Sequence, residues 1–144
     1  MKKPGNLKKP AHTESRGEQA PSCPFCHPDA GIELIRESDT AFAIFDKYPV
    51  SRGHVLVIPR RHCSGYFGLT AVEQAACWQL FNDVAAIIRE RFSPDGFNIG
   101  INIGRAAGQT VDHVHLQLIP RYEGDVEEPE GGVRGVIPWK RAYF

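Results

Sequence analysis

The chemistry in this chain is concentrated in five residues, His113-Val114-His115-Leu116-Gln117, where two imidazoles and a carboxamide alternate with aliphatic side chains. Successive side chains of an extended chain point to opposite faces. The polar three therefore form one row about 13–14 Å long, while Val114, Leu116 and Leu118 anchor the other face. An imidazole, with an unperturbed pKa of about 6.5, is a good nucleophile near neutral pH and can form a phosphoramidate with a phosphate ester. Just upstream, Gly104 to Thr110 (GRAAGQT) offers backbone N–H groups and a hydroxyl suited to phosphate oxygens. The plain alternative is a sheet face that holds two histidines without chemical purpose, which the neighbouring glycine-rich loop makes the weaker reading.

A second group opens with Cys23-Pro24-Phe25-Cys26, and His62 and His113 follow downstream. Two thiolates at this spacing with two imidazoles amount to a tetrahedral Cys2His2 set, a structural site for Zn²⁺. Two rivals use the same cysteines. Cys23 to His27 (CPFCH) fits the attachment pattern of c-type haem, but the basic opening is followed by no apolar export signal and the only methionine is Met1. A thioredoxin-like redox pair belongs between a strand and a helix, whereas this one follows a segment poor in apolar residues. Cys77 falls on an apolar helical stripe and reads as core. Cys63 reads as incidental, and Arg60, Arg61 and Arg105 as surface arginines that could meet a polyphosphate.

These residues need a scaffold, and the periodicity supplies one. Ile32 to Glu37 and Ala41 to Phe45 read as strands of a hairpin turning at Ser38-Asp39, and His54 to Ile58 as a third strand stopped by Pro59. Thr70 and Glu73 form a capping box, after which Cys77, Leu80, Phe81, Val84, Ile87 and Ile88 recur at helical steps until Ser93-Pro94. Phe97 to Ile103 and His113 to Ile119 alternate as two more strands. The class is α+β: a mainly antiparallel five-stranded sheet with one long helix packed on it.

At 144 residues, with Lys+Arg and Asp+Glu both 17, the chain has the size of one domain and no net charge to draw it to nucleic acid. No apolar run approaches the about 20 residues of a membrane span. Residues 1–21, which include His12, read as a flexible basic tail, 22–125 as the domain, and 126–144 as a C-terminal extension. Cytoplasmic residence, with reduced cysteines, is expected.

The chain resembles the histidine-triad (HIT) superfamily, whose signature is His-φ-His-φ-His-φ-φ with φ apolar. Phe45-Asp46, Gly53-His54-Val55-Leu56-Val57-Ile58-Pro59, Asn102, Gly108-Gln109-Thr110 and Ile119-Pro120-Arg121-Tyr122 match further landmarks of that family in its order. The resemblance implies that His115 takes a nucleoside monophosphate onto its ring, and that Asp46 contacts the ribose. It places Asn102, Gln109 and Thr110 at the phosphate and His54 beside the triad, with apolar residues near Phe25, Ile44 and Phe45 walling a base pocket. It also implies a bacterial, zinc-containing type with Cys23, Cys26, His62 and His113 as ligands, so that His113 sits in both the catalytic row and the metal set. A homodimer is implied, with Trp139 and Lys140 reaching toward the partner's pocket.

The third triad position departs from the pattern, being Gln117. An amide can donate to a phosphate oxygen but cannot hand a proton to a departing group. Such His-x-His-x-Gln motifs resemble the transferase branch of the superfamily, which includes galactose-1-phosphate uridylyltransferase and dinucleoside polyphosphate phosphorylases. The expected activity is cleavage or transfer of a nucleoside monophosphate from a purine nucleotide or dinucleoside polyphosphate. Hydrolase, nucleotidyltransferase or phosphorylase, and non-catalytic nucleotide-binding or scaffold protein all stay open.

Overall fold

The computed structural model describes residues 20–143. Most of the expected basic tail, residues 1–19, lies outside the described residues. Strands β1 (Leu34–Glu37), β2 (Ala41–Phe45) and β3 (Val55–Pro59) precede the helix α1 (Ala71–Phe92), and β4 (Gly96–Gly100) and β5 (Leu116–Arg121) follow it. They form one sheet of order β1-β2-β3-β5-β4, with every neighbouring pair antiparallel. Helix α1 is the single long helix among the described residues, and the expected α+β architecture holds. No helix among the described residues is long and apolar enough to cross a membrane.

Both faces of β2 and β3 are covered, which is why AFAIF and VLVIP read as continuous apolar runs. On one face Ala41, Ala43, Val55, Val57, Leu116 and Leu118 receive the helix stripe Cys77, Leu80, Phe81, Val84 and Ile88. On the other, Phe42, Ile44, Leu56 and Ile58 pack against Phe25 and Ile32. The hairpin turn is closed by Ser38, whose amide donates to Ala41 O at 2.8 Å and whose hydroxyl accepts from Ala41 N at 3.2 Å.

Helix α1 begins where its capping box requires. The Thr70 hydroxyl accepts from Glu73 N at 3.1 Å, and the Glu73 carboxylate accepts from Thr70 N at 3.0 Å. Arg61 also donates to that carboxylate, tying the helix start to the end of β3. The helix stops at Ser93, which adopts the left-handed conformation just before Pro94.

Several strand boundaries differ from the sequence reading. The first strand starts at Leu34, because Ile32 turns inward to the apolar cluster on the second face. Pro59, expected to stop the third strand, is instead its last paired residue, opposite Ala41. The largest difference concerns the motif: His113, Val114 and His115 precede β5 rather than lying within it. Val114 N donates to Cys63 O at 2.8 Å, so the segment is held by the loop after β3 and not by a strand ladder. Its partner β4 accordingly ends at Gly100, opposite Gln117, and leaves Ile101 to Ile103 outside the strand. The alternation survives, with Val114, Leu116 and Leu118 all buried.

Beyond Arg121 the chain makes short 3-10 turns at Gly132–Val136 and Pro138–Lys140, which periodicity left unassigned. Arg134 joins them by donating to Lys140 O and Arg141 O. Thr70→Ala removes half of the capping box and is expected to cost about 1 kcal/mol, read as a lower denaturant midpoint at unchanged slope.

Candidate active site and metal-ligand cluster

Cys23, Cys26, His62 and His113 converge, their ligand atoms all within 4.8 Å of one another. His62 Nδ1 lies 3.3 Å from Cys26 Sγ and 3.3 Å from His113 Nδ1, which is 3.4 Å from Cys23 Sγ and 3.5 Å from Cys26 Sγ. Bonds of about 2.0–2.1 Å to nitrogen and 2.3 Å to sulfur give tetrahedron edges of about 3.3 Å between nitrogens and 3.5 Å between nitrogen and sulfur. The set therefore has the size and donor chemistry to hold one tetrahedral metal ion. His113 Nε2–H donates to Pro59 O at 2.7 Å, which leaves the Nδ1 lone pair facing the sulfurs. Burial favours the neutral ring and outweighs the opposing pull of that carbonyl, lowering its pKa. Burial also pushes the Cys26 thiol up, so a metal ion bound there would have to displace its proton. Cys63 donates instead to Gly65 O, and Cys77 is core, its thiol pushed up by burial to about 11.

The next polar residue of the motif is oriented by the cluster. His115 Nδ1–H donates to His113 O at 3.0 Å, which places the proton on Nδ1 and leaves Nε2 with its lone pair. Phe25, between the two cysteines, sets its ring edge-on to His115 with centroids 4.9 Å apart. His115 lines a cavity of about 430 Å³ whose apolar wall includes Phe25, Ile32, Ile44 and Leu56 and whose polar lining includes Asp46, Lys47 and Thr110. Leu56 and Ile32 were missed in the sequence. Leu56 joins the wall through the register Ile44↔Leu56, since directly opposed residues share a face, and residue type alone did not mark it. Phe45, expected in this wall, turns to the helix side and packs on Phe92.

Asp46, His54 and Gln117 meet beside this cavity, at a loop closed on itself. Asp46 N donates to His54 O, and Asp46 Oδ1 accepts from Tyr48 N at 2.9 Å. Gly53 adopts a φ of +81° with the Phe92 ring 3.0 Å from where a Cβ would sit, so only glycine fits. His54 is 2% exposed. Its Nδ1 faces Val50 N at 3.1 Å, and its Nε2 lies 3.1 Å from Gln117 Oε1 and 3.5 Å from Asp46 Oδ2.

The phosphate-loop residues are less united. Thr110 lines the cavity. Gln109 is buried, with Oε1 accepting from Gly104 N at 2.8 Å and Nε2 donating to Ser64 O and Val111 O, so its amide secures the loop itself. Asn102 lies half-buried beside Gly108, outside the cavity lining. Arg60 and Arg61 are held by Glu37 and Glu73.

The HIT domain family matches residues 30–124. The chain belongs to that family. It is 37% identical over 95 residues to the bis(5'-adenosyl)-triphosphatase of Dictyostelium discoideum, covering 66% of this chain and 64% of that one. It is 29% identical over 121 residues to the AP-4-A phosphorylase of Mycobacterium tuberculosis, covering 81% of this chain and 62% of that one. The matched stretch thus spans less than two thirds of either relative. Among solved structures, a Zn-bound histidine triad family protein from Mycobacterium smegmatis superposes with a TM-score of 0.66 at 39% identity, covering 72% of this chain and 78% of that one.

Removing the metal ligands tests the cluster. Cys26→Ala is expected to abolish binding of one metal ion per chain, measured by elemental analysis. A loss of about 3 kcal/mol would lower the melting temperature by about 6–12 °C at this size. An unchanged melting temperature in stripped protein would refute a structural role.

Proposed function

We propose that this HIT protein is an enzyme that takes a nucleoside monophosphate from a purine nucleotide or dinucleoside polyphosphate onto His115. The observation that carries the reading is the bond from His115 Nδ1 to His113 O, which makes Nε2 the reactive nitrogen of a ring lining the cavity. Nε2 attacks the α-phosphorus, the new N–P bond replaces the P–O bond to the leaving group, and that group departs with the electron pair as phosphate or nucleotide. The ring becomes cationic in the adduct, and the His113 carbonyl then faces a positively charged N–H, a stronger bond than before. A base fits among Phe25, Ile32, Ile44 and Leu56, with Asp46 for the ribose hydroxyls and Thr110 toward the phosphate. Gln109 serves by shaping the loop and Asn102 by supporting it at Gly108.

Zinc is the metal proposed for Cys23, Cys26, His62 and His113, on the strength of the tetrahedral separations and the Zn-bound relative; its part is to hold Phe25 and His113 in place. The names of the two curated relatives support a dinucleoside polyphosphate substrate and leave two fates for the adduct, attack by water or by a phosphate-bearing acceptor. Gln117 favours the second. A homodimer in the cytoplasm completes the proposal, its C-terminal extension, residues 126–144, at the interface.

Incubation with radiolabelled dinucleoside polyphosphate is expected to label the protein on histidine, and His115→Ala to abolish labelling without lowering the melting temperature. Label retained by that variant would overturn the mechanism. A protein that binds AMP yet never acquires label would be the scaffold of the second reading. Gln117→His is expected to raise hydrolysis relative to transfer to added phosphate by about tenfold or more, because an imidazolium can deliver a proton; an unchanged ratio would remove the proton argument.

A further inference from the structure

A backbone N–H can only donate, and this fixes more of the site than the pair it belongs to. Val50 N lies 3.1 Å from His54 Nδ1, so Nδ1 accepts. In a neutral imidazole the proton then resides on Nε2. Nε2–H points at Gln117, 3.1 Å away, and the Gln117 atom that meets it must be an acceptor, the amide oxygen. A carboxamide carries its oxygen and its amino group on opposite sides of one planar carbon. Anchoring the oxygen on His54 turns the amino group away from it, with two N–H donors to offer. If the amide were reversed, two N–H donors would face each other in a part-buried contact against a fully buried ring, an arrangement that polar groups shielded from water avoid.

The environment keeps His54 neutral. Burial lowers its pKa, outweighing the nearby Asp46 carboxylate and the Gln117 contact that favour the cation, and His115 acts in the same direction as burial. At 2% exposure the ring has no room to touch a nucleotide, so any contribution to catalysis passes through its neighbours.

Resting on the nucleotidyl-transfer reading above, we infer that His54 is a positioning residue: its tautomer, dictated by the Val50 amide, locks the Gln117 carboxamide with its amino group toward the transferring phosphoryl group. The carboxylate assigned to the ribose is held by the same loop through its backbone, Asp46 N–H donating to His54 O at 2.9 Å. The loop from Asp46 to His54 thereby acts as an orienting device. Its glycine-closed turn brings the Val50 amide onto the ring, the ring sets the amide, and the amide presents only donors to an anion.

A double-mutant cycle on the full-length, metal-loaded protein tests this, read as the rate of His115 labelling from dinucleoside polyphosphate. His54→Leu removes the Nε2–H donor and is expected to slow labelling by about tenfold to a hundredfold, within the about 10²–10³ seen when a transition-state donor is lost outright. His54→Gln, which keeps an N–H near the Nε2 position, is expected to recover most of the rate. In a Gln117→Ala background His54→Leu is expected to add less than about twofold, since the group it orients is gone. Equal slowing by His54→Leu in both backgrounds, or no recovery with His54→Gln while melting temperatures match wild type, would overturn the inference. If the wild-type protein acquires no label, the transfer reading falls separately, and the same cycle read through the equilibrium affinity for AMP still decides whether His54 acts through Gln117.

Discussion

The site depends on one hydrogen bond, from His115 Nδ1–H to the backbone carbonyl of His113 at 3.0 Å. It selects the tautomer and fixes the ring plane, so everything that holds the His113 peptide in place acts on the proposed nucleophile. Two restraints hold it. Val114 N, of that same peptide group, donates to Cys63 O, while the His113 ring is pinned by Pro59 O at Nε2 and by the four-residue ligand cluster at Nδ1. Metal affinity and folding energy are the same quantity at such a site. A structural ion there would stiffen the proposed nucleophile through two bonded residues rather than through the bulk of the fold. Phe25 adds a second route, because a residue flanked by two ligands cannot shift without straining both, and its ring is packed against His115.

That arrangement also explains why the motif was legible in type and partly misplaced in structure. The alternation of His113 to Leu118 reads as a strand because extended backbone alone produces it, whether or not a ladder pairs the residues. Burial of Val114, Leu116 and Leu118 follows the pattern, yet strand pairing begins only at Leu116. The ladder is lost where the chain turns its N–H groups to the loop after β3, a tertiary choice that no local pattern encodes. The capping box, by contrast, is a purely local device in which two residues satisfy each other, and Thr70 and Glu73 stand where the sequence put them. Hairpin and helix were readable for the same reason.

What sequence could not show was direction. Phe45 and Ile44 are neighbours with equal apolar character, and only the pairing of β2 with β3 decides that Ile44 joins Leu56 in the cavity wall while Phe45 meets Phe92. Gln109 and His54 likewise carry groups that suit an anion, and the structure turns both inward, one to brace the loop and the other to brace Gln117. Polar residues around a reactive group divide into those that face the ligand and those that hold the first kind still, and residue type is silent on the division.

The division bears on what kind of leaving group this site suits. Around the row that begins with His115, the Gln117 amino group, turned outward by way of His54, presents hydrogens, and Thr110 adds a hydroxyl to the cavity lining. Such a lining stabilises charge that grows on phosphoryl oxygens, and it does so without reorganising during the reaction. It offers nothing to a departing group that must be protonated, because a neutral amide is no acid and His54, buried neutral behind it, has no surplus proton to relay: its single N–H already points at Gln117. An amine, strongly basic once released, would leave against that deficit. A phosphate or nucleotide leaves as a stabilised anion and meets donors already in place. The replacement of one imidazole by an amide thus changes the proposed chemistry from proton delivery to charge stabilisation, and the buried histidine beside it is what makes the amide point the right way.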